Sequence, residues 1–158
     1  MNAEELQKQA ALYGKALRVT IQNTLFPACA EFGLTYQQFC VLAELSHSPG
    51  LTAGELSDRT CILRSNFAAV ASKLKKRGLL DQQRSSSDRR FAVLVLTGAG
   101  EKLMEDIHQW LDARYGKVYL DESDETFDAM LKGYEAFNRL ALKLENINRQ
   151  LEAEESRI

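Results

Sequence analysis

Residues 51–77 read LTAGELSDRTCILRSNFAAVASKLKKR, and this stretch decides the fold. Near its start, Thr52 is placed to cap a helix, and Glu55 is placed to hydrogen-bond back to the cap. After a brief turn, a second helix is predicted over residues 64–77, because apolar residues recur there at gaps of three and four. Its last turn is cationic and Gly78 follows, a combination typical of a helix C-terminus. Two short helices joined by a turn predict a helix-turn-helix.

A further short helix and a β-hairpin flank this pair. Upstream, Thr35 and Gln38 repeat the capping pattern, so a helix is expected to begin after Thr35. Downstream, residues 79–84 and 91–96 are predicted to be strands around the polar turn 85–88, which makes a hairpin with a basic tip. This order of elements is that of a winged helix-turn-helix, whose second helix enters the DNA major groove.

Long helices are predicted on both sides of this lobe. Residues 4–30 carry one apolar stripe, although Pro27 should end or kink that helix. Thr97 is expected to cap another long helix and Ser123 to cap the last one. The last helix repeats its apolar residues in a pattern close to a heptad. These residues are Met130, Tyr134, Phe137, Leu140, Leu144, Ile147 and Leu151.

The order of elements predicts a mainly α-helical chain with a small β-hairpin, in the α+β class. We expect a single domain over residues 1–158. Its winged helix-turn-helix lobe would occupy residues 34–97, and a helical region would be built from residues 1–33 and 98–158.

Composition limits the class of protein. With 158 residues, of which 45% are apolar and 27% charged, the chain is expected to be soluble and globular rather than disordered. No apolar run approaches the ~20 residues that cross a bilayer. The acidic start lacks the layout of a signal peptide. A cytoplasmic protein with no membrane partner is the expectation.

The net positive charge of the chain lies in one segment. Residues 51–97 hold nine basic and four acidic side chains, a net charge of +5. Residues 1–50 carry three bases and four acids (−1), and residues 98–158 carry eight and fourteen (−6), so the whole chain reaches −2. Because phosphate contacts depend on the local field, the basic segment suits a nucleic acid. A solvated helical face with no nucleic-acid partner would carry the same charges and is the alternative interpretation.

Five motifs of this lobe resemble those of the multiple-antibiotic-resistance regulator (MarR) family. They are Leu34-Thr35-x-Gln37-Gln38-Phe39-x-Val41-Leu42, Gly50-Leu51-Thr52-x-x-Glu55-Leu56, Arg64-Ser65, Leu74-x-Lys76-x-Gly78-Leu79 and Asp88-Arg89-Arg90-x-x-x-Leu94-x-Leu96-Thr97. In this order and spacing the set is quite specific, and the long flanking helices fit the family's dimerisation region. The resemblance implies a homodimeric transcription regulator, usually a repressor whose DNA affinity is modulated by a small molecule or by oxidation. Its partner would be double-stranded DNA with a near-palindromic operator, and no cofactor is implied.

The residues expected to touch DNA lie on the helix at 64–77 and on the wing. On the helix they are Arg64, Ser65, Asn66, Ser72, Lys73 and Lys76, and on the wing they are Arg84, Arg89 and Arg90. Base-edge contacts usually arise in the first turn of such a helix, and a wing arginine can enter the narrow minor groove. In the family pattern, Asp88 orients the wing arginine through an ion pair. An exposed ion pair in a solvated turn is the alternative.

The helix at 64–77 departs from the commonest family pattern. Leu63 stands where the family has an aspartate, so we expect the helix cap to move to Ser65 or to the preceding turn. Ala68 and Ala69 stand where a Thr-Arg pair is common. This change removes polar readers of the bases but leaves methyl groups that could pack against thymine. The operator sequence therefore cannot be inferred from relatives.

The resemblance also suggests a crevice for a small aromatic or lipophilic acid, between the dimerisation region and the DNA-binding lobe. Its lining would come from Tyr13, Leu17, Arg18, Phe39, Ile107 and Trp110. Arg18 would be the partner of the anion. Core packing is the simpler interpretation of the aromatic and apolar members of this set, so both interpretations stay open.

Three cysteines, an odd number, do not indicate a disulfide framework. Cys61 lies in the helix-turn-helix turn, where the family commonly has glycine, with Arg59 and Arg64 nearby. Positive charge favours a thiolate, so oxidation of Cys61 is an alternative means of regulation. His47 and His108 do not have the spacing of a metal site.

An enzyme and a protein-binding module are two other classes of function that this chain could represent. An enzyme is not expected, since the sequence shows no nucleophile-base pairing, metal-ligand cluster or glycine-rich phosphate loop. A winged-helix module whose basic face binds an acidic protein is the remaining alternative. Replacing Arg90 with alanine separates these interpretations, because DNA binding should weaken only if the wing contacts DNA.

Overall fold

A computed structural model describes residues 2–84 and 91–155, and within these ranges the chain forms seven helices and three short strands. In order they are α1 (Ala3–Asn23), α2 (Leu25–Glu31), α3 (Tyr36–His47), β1 (Leu51–Thr52), α4 (Ala53–Thr60), α5 (Arg64–Lys76), β2 (Leu80–Arg84), β3 (Ala92–Leu96), α6 (Gly98–Leu120) and α7 (Asp124–Glu155). The predicted fold class, mainly α-helical with a small β-hairpin, is confirmed.

The first predicted helix is divided into α1 and α2 at Thr24. Pro27 is the third residue of α2 and lies four residues after Asn23, the last residue of α1. Proline has no N–H to donate to the Asn23 carbonyl four residues earlier, and its ring clashes with that carbonyl, so the helix is interrupted between Asn23 and Pro27. The kink expected from Pro27 is therefore found one turn upstream of it.

Both predicted capping boxes are present. Thr35 Oγ1 accepts a hydrogen bond from the Gln38 N–H (3.2 Å), and Gln38 Oε1 accepts one from the Thr35 N–H (2.9 Å). Thr52 and Glu55 make the same reciprocal pair at the start of α4, at 3.2 and 2.8 Å. The hydrogen bonds from the Thr52 N–H and hydroxyl lower the pKa of Glu55. These caps set where α3 and α4 begin.

Helix α5 begins without a side-chain cap, so the expectation that Ser65 or the preceding turn would supply one is wrong. Its N-cap residue is Leu63, which is 72% exposed and offers no hydrogen-bonding atom, whereas Ser65 lies inside the first turn. Packing holds the helix instead, through its four buried residues. These are Phe67, Val70, Ala71 and Leu74. Just beyond α5, Gly78 has a φ of 71°, a left-handed conformation that suits glycine.

The three strands form one antiparallel sheet in the order β1-β3-β2. The hairpin strands lie within one residue of their predicted ranges, with Leu80 opposite Leu96. Strand β1 was not predicted, because two residues are too few to show an alternating pattern. It places Thr52 opposite Val93. Thr52 therefore belongs to the sheet and also caps α4.

Helix α6 begins directly after the hairpin and packs closely against it. Thr97 Oγ1 accepts a hydrogen bond from the Gly100 N–H (3.1 Å), as expected of a cap, and its hydroxyl donates to the Gly78 carbonyl (2.6 Å). A Cβ built on Gly100 would lie 2.3 Å from the carbonyl oxygen of Leu79. Only glycine therefore fits at this point without displacing the backbone.

Among the described residues, one hydrophobic core joins α2, α3, α4, α5, the sheet and the first half of α6. Its most deeply buried side chains are Val41, Leu42, Leu45, Leu56, Leu74, Met104 and Ile107. Phe67 and Val70 pack into it from α5, as their spacing predicted. The core thus fixes the inner face of α5 and leaves the opposite face in solvent.

The chain divides into two compact units, Met1–Tyr115 and Gly116–Ile158. The second unit contains α7, whose first turn is capped by Ser123 through a hydrogen bond from the Thr126 N–H (3.2 Å). The heptad-like positions of α7 are exposed, apart from the partly buried Leu140. In the part of the chain that is described, no helix combines the length and the apolar character needed to cross a membrane.

Candidate nucleic-acid interface

Helix α5 turns a polar and cationic face to solvent. All six contact residues predicted on this helix are exposed, namely Arg64, Ser65, Asn66, Ser72, Lys73 and Lys76. The first turn holds no acidic residue, and the last turn carries three lysines. A polyanion can approach such a face without meeting a negative side chain on the helix itself.

The side chains that point outermost from α5 are mostly short. Phe67, Val70 and Leu74 mark the buried side, and at about 100° per residue the opposite direction can be read from the sequence. The four residues in that direction are Ser65, Ala69, Ser72 and Lys76, all exposed, which we call the outer ridge. Three of the four side chains are as small as serine or alanine. A surface lying against α5 can therefore come close to its backbone.

Two cavities flank the outer ridge. The larger, of about 600 Å³, lies between α5 and the wing strands, and Ala68 and Ala92 are among its lining residues. The smaller, of about 210 Å³, lies between α5 and the start of α3, and it is bordered by Ala69 and Lys73. The two neighbouring alanines are therefore not equivalent. Ala68 faces the wing, whereas Ala69 lies on the ridge.

Two basic side chains of α5 have partners within the lobe. Arg64 Nη2 lies 3.5 Å from Asp58 Oδ2, and both side chains are mostly exposed. Exposed pairs of this kind contribute little, so Arg64 can exchange the carboxylate for a phosphate or a base edge. Lys75 Nζ donates a hydrogen bond to Gln82 Oε1 on β2. Lys75 thus connects the helix to the root of the wing.

Arg77 has a structural role that the sequence did not reveal. Its guanidinium donates to the carbonyl oxygens of Gly33 (2.7 Å) and Phe32 (3.3 Å). These carbonyls follow directly after α2, at the point where that helix ends. Arg77 therefore links the C-terminal end of α5 to α2. A contact over more than forty residues of sequence leaves no local pattern that could have indicated it.

The wing is described only at its root. Arg84, the last residue of β2, is exposed and lies on the way to the hairpin tip. Asp88, Arg89 and Arg90 lie outside the described residues, together with the serines of the predicted turn. Their roles stay predictions. The root itself is held by the pairing of β2 with β3 along five residues of each strand.

Cys61 occupies the turn between α4 and α5 with a φ of 53°. This left-handed conformation favours glycine, the residue common at this position in the family. The thiol is exposed, and its sulfur lies 3.9 Å from the carbonyl oxygen of Asp58. The arginines expected to favour a thiolate have carboxylate partners, since Arg59 pairs with Glu44 at 2.8 Å and Arg64 with Asp58. The redox role of Cys61 stays a prediction.

The other two cysteines are less accessible, since Cys29 on α2 is buried and Cys40 on α3 is partly buried. Burial, with a smaller contribution from Cys40, raises the pKa of Cys29 to about 11. Burial likewise raises the pKa of Cys40, and it raises that of Tyr36 to about 12. All three groups are therefore protonated at neutral pH. Within residues 2–84 and 91–155, no three potential ligands come together as a metal site.

The six residues predicted to line an effector crevice lie in two environments. Phe39 and Ile107 are buried in the core, and Trp110 packs against it. The three residues from α1, Tyr13, Leu17 and Arg18, are exposed. A cavity of about 670 Å³ lies elsewhere, between α3, β3 and the start of α6. The effector site therefore stays a prediction.

An exposed, cationic second helix followed by a strand pair that packs beside it defines the class of winged helix-turn-helix proteins. Comparison with known proteins is more specific. A model described as MarR family matches residues 32–90. The HTH-type transcriptional regulator FarR of Neisseria gonorrhoeae is 31% identical over 101 residues, which cover 64% of this chain and 69% of FarR. The chain belongs to the MarR family.

Two solved structures extend this agreement over most of the chain. The transcriptional repressor CouR, solved with a 23-mer DNA duplex, is 29% identical with a TM-score of 0.65 and matches 87% of this chain and 97% of its own. NadR, solved with 4-hydroxyphenylacetate, is 27% identical with a TM-score of 0.65 and matches 83% of this chain and 89% of its own. The family resemblance read from the motifs is confirmed, and the chain is a MarR-family transcription regulator.

Proposed function

We propose that this chain is a homodimeric repressor that binds a near-palindromic DNA operator and releases it when a small aromatic or lipophilic acid binds. The observation that carries the proposal is the division of α5, whose apolar residues are buried while its cations and hydroxyls face solvent. The protein would act in the cytoplasm, where it can reach its operator. The relatives found are regulators, and the proposal requires no catalytic step.

The contacts with DNA would divide along α5 according to side-chain chemistry. In the first turn, Arg64 is suited to guanine and Asn66 to adenine, and Ser65 can bond to either. Further along, Lys73 and Lys76 would contact phosphates, and the Ser72 hydroxyl could bond to a base edge. Phosphate contacts of this kind would position the protein, whereas base contacts would specify the sequence.

On the wing, Arg84 would contact the phosphate backbone. Arg89 or Arg90 would enter the minor groove, with Asp88 orienting the arginine by an ion pair. This arrangement is the one that the family pattern implies. It would extend each half-site beyond the bases that α5 covers.

The dimer is supported by exposed apolar side chains on two long helices. Leu17 on α1 and Tyr134, Leu144 and Ile147 on α7 are each about half exposed or more. On either helix, exposed apolar side chains of this kind mark a surface that another chain covers. A two-fold dimer would place two copies of α5 on the same side of the duplex, about 34 Å apart.

The effector is proposed from the chemistry of the predicted residues and of a related complex. NadR, solved with 4-hydroxyphenylacetate, is a related protein with an aromatic acid bound. In this chain, Arg18 would bind the carboxylate, and the aromatic side chains of Tyr13 and Trp110 would pack against the ring.

The most direct test is to sequence the genomic DNA fragments that the purified protein retains. We expect enrichment of fragments with one near-palindromic motif, and we expect their affinity to fall steeply as salt rises. If no sequence is enriched over the input, repression at a specific operator is wrong.

Charge variants test the DNA-binding face itself. Lys73→Gln and Lys76→Gln should each weaken operator binding and reduce the slope of log affinity against log salt by about two, one for each subunit of the dimer. Lys8→Gln, at an exposed lysine of α1, is the matched control and should leave the slope unchanged. Equal behaviour of all three variants would contradict a role for α5.

Two alternatives have their own tests. If the basic face binds an acidic protein, Arg90→Ala should leave DNA binding unaffected. If the exposed Cys61 senses oxidants, peroxide should weaken operator binding in the unaltered protein and not in Cys61→Ser. The same response to peroxide in both proteins would exclude regulation through Cys61.

A further inference from the structure

We infer that Ala69 reads the methyl group of a thymine in each operator half-site, and that this contact sets the base identity at the centre of the outer ridge. The inference rests on the proposed function, since it requires α5 to lie in the major groove. It adds a specific base to that function at a position where the sequence has lost the polar residues that are common in the family.

The position of Ala69 on α5 favours contact with a base. Ala69 is exposed and lies opposite the buried stripe of Phe67, Val70 and Leu74. It is one turn from Ser65 and nearly one turn from Ser72 along the same ridge. Both neighbours on the ridge are small, and the longer side chains of Asn66 and Lys73 lie to one side of it, around the smaller cavity. The Ala69 methyl group therefore faces the floor of a groove when the ridge points into that groove.

The chemistry of the ridge favours thymine opposite Ala69. A serine hydroxyl both donates and accepts, so Ser65 and Ser72 can satisfy any base edge and discriminate weakly. Lys76 is long and lies in the last turn, where phosphates are within reach. Ala69 has no polar atom, and a polar base edge pressed against it would lose water without gaining a partner. In the major groove only thymine presents a methyl group. Thymine is thus the base that suits Ala69.

The neighbouring Ala68 provides a matched comparison. It has the same side chain and is also exposed, yet it lines the cavity between α5 and the wing strands. Ala68 lies about 100° around α5 from Ala69, on the side of the wing strands. Only Ala69 is placed to meet a base, so a change at Ala68 should not alter the response to a thymine methyl group.

The test begins on the DNA. Once the operator is known, each thymine is replaced singly by uracil, which keeps base pairing but lacks the 5-methyl group. We expect one position in each half-site at which affinity falls about fourfold, and about fifteenfold when both half-sites are changed, the values for loss of one and two buried methyl groups. This measurement uses the unaltered protein, so it does not depend on the folding of any variant.

The protein side of the test assigns the methyl contact to a residue. Ala69→Ser should bind the thymine and uracil operators equally at the sensitive position, whereas Ala68→Ser should keep the fourfold difference. An operator that tolerates uracil at every position overturns the inference, as does a difference that persists in Ala69→Ser. Failure of the proposed function is distinguishable, because the unaltered protein would then retain no specific operator in the first place.

Discussion

Two residues in the turn before α5 fit their positions poorly. Cys61 has a left-handed backbone that a side chain disfavours, and Leu63 is an N-cap residue without a capping atom. Each mismatch costs on the order of 1 kcal/mol. The start of α5 is therefore locally weak, and its position depends on the core residues Phe67 and Val70 rather than on its own first turn.

The first prediction concerns Cys61. Replacing Cys61 with glycine should stabilise the protein by about 0.5–1 kcal/mol, because glycine adopts a φ of 53° without steric conflict. The midpoint of urea unfolding measures this gain. Cys61→Ala is the control, since it removes the thiol but keeps the Cβ, and it should give no comparable gain. A larger gain in the alanine variant would show that the backbone conformation is not the cause.

At the scale of the elements, close packing between α6 and the hairpin depends on Gly100. Its Cα lies so near the Leu79 carbonyl that any Cβ would overlap it. The same junction is held by Thr97, which caps α6 and also donates to Gly78. The start of α6, the end of α5 and the start of β2 are thus joined at one point.

The second prediction tests this junction. Gly100→Ala should destabilise the protein by about 1–3 kcal/mol, since the backbone of α6 or of Leu79 must move to admit the methyl group. Gly98→Ala is the matched control, because nothing lies within 4 Å of a Cβ at Gly98, and its effect should be within about 0.5 kcal/mol. Thermal unfolding of the two variants side by side gives the comparison. Equal stability would contradict the close approach.

The third prediction concerns the dependence of stability on pH. Burial raises the pKa of the Cys29 thiol from 9.0 to about 11, so the folded state keeps this proton where the unfolded state has lost it. The stability that depends on this difference is complete below pH 9.0 and is lost as pH rises towards about 11. Urea unfolding midpoints across this range should fall less steeply for Cys29→Ala. Parallel curves for both proteins would contradict the prediction.

The elements that sequence predicts well are those with local causes. The starts of α3 and α4 follow from the pairs Thr35 with Gln38 and Thr52 with Glu55, which lie three residues apart and act within one turn. The inner face of α5 follows from spacing. Strand β1 and the link from Arg77 to α2 were not predictable, because each depends on a partner distant in sequence. The cavity that Ala68 shares with the wing strands was not predictable either, because it depends on where the wing packs against α5.

At the scale of the whole molecule, charge and apolar surface are distributed differently. The net positive charge lies in residues 51–97, whereas α7 combines acids with an exposed apolar row. A net charge of −2 therefore describes neither region. On the proposed function, one region meets DNA and the other meets a second copy of the chain.

The fourth prediction tests the apolar row. Leu144→Glu should convert the proposed dimer to a monomer in sedimentation experiments, because it places a charge among apolar side chains at the interface. Lys143→Glu, one residue away and outside the heptad-like pattern, introduces the same side chain and should leave the dimer intact. If Leu144→Glu remains dimeric, this row of α7 is not the interface.

Thr52 has a consequence for how the protein can respond to DNA. The residue is paired with Val93 in the sheet and also caps α4, and Lys75 joins α5 to β2. The distance between the wing root and the helix pair is therefore set by the fold. On the proposed mode of binding, a changed base between their contacts should be tolerated better than an inserted base pair, because an insertion changes the spacing on the DNA that this distance must match.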